Sequence, residues 1–154
     1  MTVAALRWFK AALVLQILLV GYWLTMAAVP VVPWNDLKAA PIDAAAIRNL
    51  ALILLPLLAF SLCFATGIQL VAAIAVVGYG VYLVWNLWIW WKPFALGASP
   101  AWQAHYEAVY ANTLKVLPAF GKHIPPDAQT LTLQILLAAT LFVTTMAVAR
   151  MKHL

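Results

Sequence analysis

The longest stretch without a charged residue runs from Asn49 to Trp91, and the other predicted elements are arranged around it. One straight helix of that length would measure about 65 Å at 1.5 Å per residue, roughly twice the hydrocarbon thickness of a bilayer. Thr66-Gly67 lies near the middle, and glycine adopts tight-turn conformations easily. The pattern therefore predicts two membrane-spanning helices, residues 46–65 and 68–91, joined by a minimal hairpin. Pro56 is expected to bend the first of them, because proline removes one backbone hydrogen bond.

Two further apolar runs predict the other spans, residues 9–29 and 128–149. A basic start followed by an apolar run is also typical of a signal peptide, but residues 9–29 exceed the roughly 7 to 15 residues of a signal core. Tyr22 and Trp23 lie near the far end of this run, where interfacial aromatic residues are expected. Between the first two spans, prolines from Pro30 to Pro41 predict a loop, and Asp43 is expected to start the second helix.

The longest connection, residues 92–127, is predicted to be structured. Lys92-Pro93 is expected to end the third span, after an aromatic cluster typical of the membrane boundary. Ser99-Pro100 then offers an N-cap followed by proline at the first helical position. Several residues recur beyond it at helical spacing: Trp102, Tyr106, Val109, Thr113 and Val116. They predict an amphipathic helix over residues 100–117 that lies on the bilayer surface or caps the bundle.

Hydrophobic residues make up 67% of the chain and charged residues only 8%, whereas soluble domains carry about a quarter charged residues. We therefore expect an integral membrane protein. The net charge of +5 comes from scattered basic residues, not from the clustered stripe of a nucleic-acid-binding protein, so nucleic acid is not expected as a partner. Basic residues are densest in the short terminal segments, which favours cytoplasmic termini. The single cysteine, Cys63, argues against thiol-disulfide chemistry.

Ionisable residues fall outside the predicted spans. Membrane enzymes and ion carriers usually place such groups within their spans, but the four acidic residues all map to loops: Asp36, Asp43, Glu107 and Asp127. This distribution argues against proton relays, carboxylate proteases and ion pumps, and the loop positions of the histidines argue against a haem inside the bundle. No catalytic residue, metal site or cofactor is predicted, and a non-enzymatic role is expected over an enzymatic one.

Neutral polar residues form one face of the third span. Tyr79, Tyr82 and Asn86 recur at spacings of three and four, so they share a helical face. Gln16 of the first span and Gln134 of the fourth are placed to join them. One interpretation is a pocket near the outer leaflet, roofed by the loop helix. The alternative is that these groups only hydrogen-bond between helices as packing contacts.

The long loop carries a second group of candidate residues above that pocket: Trp102, His105, Tyr106, Tyr110 and His123. The two histidines, together with Glu107 and Asp127, offer metal-ligand or acid-base chemistry in principle. His105 and Glu107 are two residues apart and point in different directions on a helix, so solvated loop residues are the expectation. Lys115 and Lys122 are expected to meet lipid phosphates.

Residues in and around this loop follow a distinctive order: Trp90-Trp91-x-Pro93, Gly97-Ala98-Ser99, Tyr106, Tyr110, Thr113, Leu117-Pro118, Gly121 and Pro125-Pro126-Asp127-Ala128. This order resembles a small family of uncharacterised bacterial four-span membrane proteins, over roughly residues 90–133. The pattern is loose and contains no catalytic signature. It implies a four-span fold in a bacterial inner membrane and no particular activity. Relatives carry a histidine near the position of Gln129, so a role for that histidine would not extend to this chain.

Together these observations predict an all-α fold, an antiparallel four-helix membrane bundle with a short amphipathic helix in the loop between helices 3 and 4. The whole chain, residues 1–154, is expected to be one transmembrane domain. The leading functional hypothesis is a non-catalytic accessory or self-assembling bundle whose partners are membrane lipids and other membrane helices. One alternative is a lipid- or quinone-handling protein, either an enzyme or a binding protein, with a pocket near the outer leaflet. A second alternative is a small transporter or channel.

Overall fold

The structure, a computed structural model, describes residues 2–38 and 44–151 and contains five α-helices in those residues. In chain order they are α1 (Val3–Ala28), α2 (Ala44–Ala65), α3 (Gln69–Leu96), α4 (Pro100–Tyr110) and α5 (Ala128–Arg150). The described residues form no β-strand. The predicted all-α fold, with four long helices and a short one before the last, is therefore confirmed.

The four long helices are long and apolar enough to cross a membrane. They are apolar on their outward faces as well as their inward ones: Leu70 is 82% exposed and Ile135 is 71% exposed. A helix that is hydrophobic all round is stable where its whole surroundings are apolar, as in a bilayer. Length and composition thus indicate a multi-pass membrane protein.

The long helices pack in a ring in which α1 contacts α2 and α5, while α3 contacts the same two neighbours from the other side. Neighbouring helices run antiparallel. Trp8 near the start of α1 lies against Arg150 at the end of α5, and Tyr22 near the end of α1 bonds to Gln129 at the start of α5. The ends of α1 and α3 therefore lie at the same end of the bundle as the start of α5.

Small residues occupy many of the helix contacts, which lets the backbones approach closely. Ala12, Ala72 and Ala75 are fully buried. Larger side chains then fill the interior of the bundle, and the following are also fully buried: Leu19, Leu57, Phe64, Tyr79 and Leu137. The interior is packed with side chains along most of its length.

The turn between α2 and α3 falls at Thr66-Gly67. The backbone N–H of Thr66 donates to the Leu62 carbonyl, and that of Gly67 donates to the Phe64 carbonyl. Gly67 has a φ of 69°, a left-handed conformation that costs other residues roughly 1–2 kcal/mol. Glycine at this position is what allows α3 to start only four residues after α2 ends.

The expectation that Lys92-Pro93 ends the third helix is wrong, because Pro93 lies inside α3, which continues to Leu96. A proline this close to a helix end removes one backbone hydrogen bond without preventing a further turn. The helix stops at Gly97, whose φ is 88°. Here the chain leaves α3, and the Ala98 N–H donates to the Lys122 carbonyl across the loop.

The loop helix is shorter than predicted: α4 begins at Pro100, but it ends at Tyr110 and not at residue 117. The N–H and hydroxyl of Thr113 and the ammonium of Lys115 all donate to the Tyr110 carbonyl, which closes the last turn. The N–H of Leu114 then donates to the Pro33 carbonyl. Tertiary bonds to other loops thus replace the helical bonds beyond Tyr110.

Two of the loop predictions, the end of the first loop at Pro41 and the start of α2 at Asp43, lie outside the described residues. The other end of the same loop is described. The Asn35 side-chain amide donates to the Met26 and Val29 carbonyls, and its oxygen accepts from the Val31 N–H. Asn35 therefore holds the chain against the last turn of α1.

Candidate functional site

Two of the polar residues predicted to line a pocket instead bond across helix contacts. The Gln16 amide donates to the Thr144 hydroxyl over 3.1 Å between α1 and α5. The hydroxyls of Tyr79 and Ser61 are 2.9 Å apart between α3 and α2. Ser61 also donates to the Leu57 carbonyl, so its single hydrogen is used and Tyr79 is the donor between them. These residues lie in packing contacts.

Two more of the predicted residues join α3 to α5. The Trp91 indole N–H donates to Oε1 of Gln134 over 2.9 Å, and Nε2 of Gln134 donates to Oδ1 of Asn86 over 3.0 Å. An indole nitrogen is only a donor, so it fixes the orientation of the Gln134 amide and, through it, that of Asn86. Nδ2 of Asn86 is left with no acceptor among the described residues.

The fifth predicted residue, Tyr82, lines a groove on the outer surface between α2 and α3, together with Pro56, Phe60 and Gly78. Its hydroxyl lies near the Trp23 indole, whose buried N–H makes no hydrogen bond with the described residues. The five predicted residues thus do not meet in one pocket. Among them, Asn86 alone reaches the polar cavity described below.

Residues 97–127 fold over one end of the bundle and are called the cap here. An aromatic cluster attaches the cap to α3: the Trp90 ring contacts Trp102 at 5.5 Å and Tyr110 at 5.1 Å between centroids, both edge-on. Tyr106 packs on Tyr110 and donates its hydroxyl to the Pro125 carbonyl over 3.1 Å. Edge-on aromatic pairs contribute about 0.5–1.5 kcal/mol beyond burial, so these contacts hold α4 over the bundle.

The structure separates the two histidines predicted in the loop. The exposed ring of His105 contacts Trp102 and Tyr110 at the edge of the aromatic cluster. Nδ1 of His123 lies 2.8 Å from the Phe94 carbonyl, so this histidine links the cap to the last turn of α3. The described part of the chain contains no group of three or more His, Cys, Asp or Glu side chains that could hold a metal ion.

Two small cavities lie between the cap and the bundle. The inner chamber, of about 70 Å³, is lined by Tyr22, Trp23, Asn86, Trp90, Tyr110, Gln129, Thr130 and Leu133. The outer chamber, of about 120 Å³, is lined by Met26, Asn35, Asp36, Leu37, Val109, Tyr110, Thr113 and Gln129. Because Tyr110 and Gln129 line both, these two side chains separate the chambers. The inner chamber combines aromatic walls with amide and hydroxyl groups.

A buried carboxylate lies beside these chambers. Asp127 is fully buried; its Oδ1 caps α5 by accepting from the Thr130 N–H over 2.8 Å, and Oδ2 accepts no hydrogen bond from the described residues. Burial and the Asp127 charge raise the pKa of Tyr110 to about 12. Tyr110 therefore keeps its proton at neutral pH and can donate a hydrogen bond. Burial lowers the pKa of Lys115, while Asp127 acts in the opposite direction.

Several chamber residues were missed from the sequence because they come from separate elements. Tyr22 and Trp23 lie near the end of α1, Trp90 belongs to α3, and Gln129 and Thr130 lie in the first turn of α5. Helical periodicity relates positions within one helix and does not connect positions on different helices. What these residues share is their level along the bundle, since all lie near the cap end of their helices.

The outer face of α3 carries two larger, apolar grooves. One, of about 510 Å³, runs along Leu87, Trp91 and Leu96, and the other, of about 620 Å³, runs along Gly80, Val81 and Trp85. Val84 and Trp88 line both. The two grooves are therefore continuous and are called the α3 groove below.

Comparisons with protein-family models, curated proteins and solved structures find no match to this chain. Function is therefore inferred from the geometry of the chambers and of the α3 groove.

Proposed function

We propose that this protein is a non-catalytic membrane bundle that binds another transmembrane helix along the α3 groove. The bound helix belongs to a second copy of the chain or to a partner protein. The groove extends from Gly80 to Leu96, about 24 Å of helix at 1.5 Å per residue, which is most of a hydrocarbon core of about 30 Å. Its length suits a helix that crosses the membrane beside α3.

The floor of the groove supports close helix contact. Gly80 has no side chain, and a Cβ placed there would have its nearest neighbour at 4.0 Å, in Leu141. Small residues of this kind allow helix backbones in a membrane to approach one another. Inside the bundle, by contrast, Gln16, Tyr79 and Gln134 hydrogen-bond to neighbouring helices. The α3 groove is thus a long, concave apolar surface available to a partner helix.

The experiment compares a filled groove with a matched glycine elsewhere. Gly80→Leu places a branched side chain on the groove floor, while Gly21→Leu makes the same change on α1, where no heavy atom lies within 4 Å of the added Cβ. Native mass spectrometry of gently extracted wild-type protein should show a homo-oligomer or a bound partner. Gly80→Leu should lose it and Gly21→Leu should keep it. A strictly monomeric wild type, in mild detergent, would contradict the proposal.

A second candidate function, lipid or quinone handling, is favoured by the inner chamber, and its ligand chemistry is treated in the next subsection. The transporter alternative has less support, because no charged side chain lines the packed bundle interior in the described residues. Solute flux measured in proteoliposomes would support the transporter alternative.

The cellular setting is also a proposal. We place the protein in a bacterial inner membrane with both termini in the cytoplasm, which is supported by the basic residues near the start and end of the chain and the positive-inside rule. Labelling of Val3→Cys from the periplasmic side would contradict this orientation, because Val3 is exposed at the start of α1.

A further inference from the structure

We propose that the inner and outer chambers together bind a neutral, flat molecule that carries a carbonyl oxygen, as a quinone headgroup does. Its oxygen would accept from Asn86 and its ring would extend past Tyr110 towards the outer chamber. This site lies under the cap and does not depend on helix binding at the α3 groove.

The first support is a donor group, on a buried side chain, that has no acceptor among the described residues. Asn86 is 7% exposed and lines the inner chamber. The Trp91-to-Gln134-to-Asn86 chain of hydrogen bonds uses its oxygen, so the NH₂ group is the part left over. Thr130, 5% exposed, lines the same space, and its hydroxyl bonds to none of the described residues. The Trp23 N–H, which belongs to the same lining, is buried and makes no hydrogen bond with the described residues. Because buried polar groups are nearly always hydrogen-bonded, an acceptor is expected in the chamber.

The second support is the shape and chemistry of the walls. Four aromatic side chains enclose the inner chamber: Tyr22, Trp23, Trp90 and Tyr110. Aromatic rings favour flat partners in stacked or edge-on contact. Tyr110 stays protonated up to high pH, since its pKa is raised to about 12, and it provides a further hydroxyl donor. A ring with an exocyclic oxygen can pack against the aromatic walls and accept hydrogen bonds from the donors.

Charge restricts the ligand further. The Asp127 carboxylate is fully buried at the start of α5 and acts electrostatically on both Tyr22 and Tyr110. A negative charge this close disfavours carboxylates and phosphates. Asp127 is also within electrostatic range of Lys115, so a balancing cation is already present. The charges around the chambers therefore favour a neutral ligand.

Size explains why both chambers are needed. An apolar cavity of about 150 Å³ is sufficient for benzene, but neither chamber alone is that large, at about 70 Å³ and about 120 Å³. The chambers adjoin at Tyr110 and Gln129, so a shift of the Gln129 side chain, with Tyr110 still in the wall, joins them into a space above that limit. The carbonyl end then occupies the inner chamber and the rest of the ring the outer one.

The test uses duroquinone as the probe and the apparent unfolding temperature of the full chain in lipid nanodiscs as the measurement. A ligand that binds the folded state raises this temperature in a saturable way. Duroquinone should do so. Durene, the same methylated ring without carbonyl oxygens, and the anion benzoate should not. An equal shift with durene or benzoate, or no shift with duroquinone, would overturn the proposal.

Variants then assign any binding to the chamber. Asn86→Leu should weaken duroquinone binding about tenfold, the effect of one lost hydrogen bond. Gln16→Leu removes a buried amide that lines neither chamber and should bind as wild type does. If Asn86→Leu does not fold, Thr130→Val and Tyr110→Phe provide the same comparison with smaller changes. Wild-type affinity in the chamber variants, or loss of binding in Gln16→Leu, would contradict the assignment to the chamber.

Discussion

The indole N–H of Trp91 donates to the side-chain oxygen of Gln134, and the two atoms are 2.9 Å apart at the contact of α3 with α5. This bond orients Gln134 towards Asn86, which lines the inner chamber, and leaves the Asn86 NH₂ group without an acceptor among the described residues. A tryptophan near the end of one helix therefore decides which polar atom of Asn86 is paired within the bundle. The same three residues also connect two helices that are distant in sequence.

A double-mutant cycle measures this connection. Trp91→Phe and Gln134→Leu should each lower the free energy of unfolding, because each leaves a buried partner unsatisfied. Their coupling energy should be about 0.6 kcal/mol and at most about 1.7 kcal/mol, the range of such bonds inside membrane bundles. The measurement is unfolding by SDS in mixed micelles. Trp91→Phe paired with Gln16→Leu is the control, and these non-contacting sites should be additive. If the effects of Trp91→Phe and Gln134→Leu on the unfolding free energy are additive, the hydrogen bond between these residues contributes nothing to stability.

Gly78 and Phe60 give a prediction about packing. A Cβ at Gly78 would lie 2.5 Å from the Phe60 ring, so Gly78→Ala forces that ring to move. Phe60 also contacts Tyr79 edge-on, which restricts where it can go. We expect a loss of about 1–3 kcal/mol in unfolding free energy, typical of overpacking.

A second substitution tests whether the contact with the Phe60 ring causes the loss of stability. Phe60→Leu shortens the side chain, so adding it to Gly78→Ala should recover part of the lost stability. Gly21→Ala is the matched control, since nothing lies within 4 Å of its added Cβ. If Gly78→Ala behaves like Gly21→Ala, the steric explanation is wrong.

The tyrosines of the cap predict a loss of stability at alkaline pH. The pKa of Tyr110 is raised from 10.0 to about 12, chiefly by burial. The folded protein therefore keeps this proton between about pH 10 and 12, where the unfolded chain releases it. The stability that Tyr110 contributes is complete below pH 10 and is lost as the pH rises through 12. Lys115 acts in the opposite sense, because its pKa is lowered from 10.5.

Tyr110→Phe checks this assignment, since the variant cannot ionise at that position. Its unfolding free energy should fall less steeply than that of wild type between pH 10 and 12. Part of the slope should remain, because burial also raises the pKa of Tyr106 to about 12. Identical slopes in the two proteins would mean that Tyr110 has the same pKa folded and unfolded.

The sequence predicted the helices far better than their ends. The charge-free stretch and the turn at Gly67 depend on local chemistry, which a single sequence records. The end of α3 does not follow from local chemistry in this way. Pro93 predicts the end of the helix, yet α3 continues to Leu96 and stops where Gly97 adopts a positive φ. The end of α4 depends on bonds from Thr113 and Lys115, and the loop beyond it on a bond to Pro33. The bonds to Tyr110 come from loop side chains and the bond to Pro33 from a segment distant in sequence, and neither leaves a periodic signal.

The candidate site was predictable only in part for a similar reason. Helical spacing placed Tyr79, Tyr82 and Asn86 on one face of α3, but neighbouring helices divide that face. Ser61 of α2 bonds Tyr79, whereas Gln134 of α5 bonds Asn86. A pattern along one helix shows which residues share a side. It does not show which neighbouring helix each of them meets.

The antiparallel arrangement predicts that the turn and the cap lie on opposite sides of the membrane. Thr66, at the turn, and Ala101, in the first turn of α4, are both exposed and lie beyond opposite ends of α3. In a Cys63→Ala background, Thr66→Cys and Ala101→Cys should react with a membrane-impermeant thiol reagent from different sides. Val3→Cys is the control, because the start of α1 lies at the turn end of the bundle and should label with Thr66→Cys. Since α3 joins the two ends directly, labelling of Thr66→Cys and Ala101→Cys from the same side would mean that α3 does not cross the membrane.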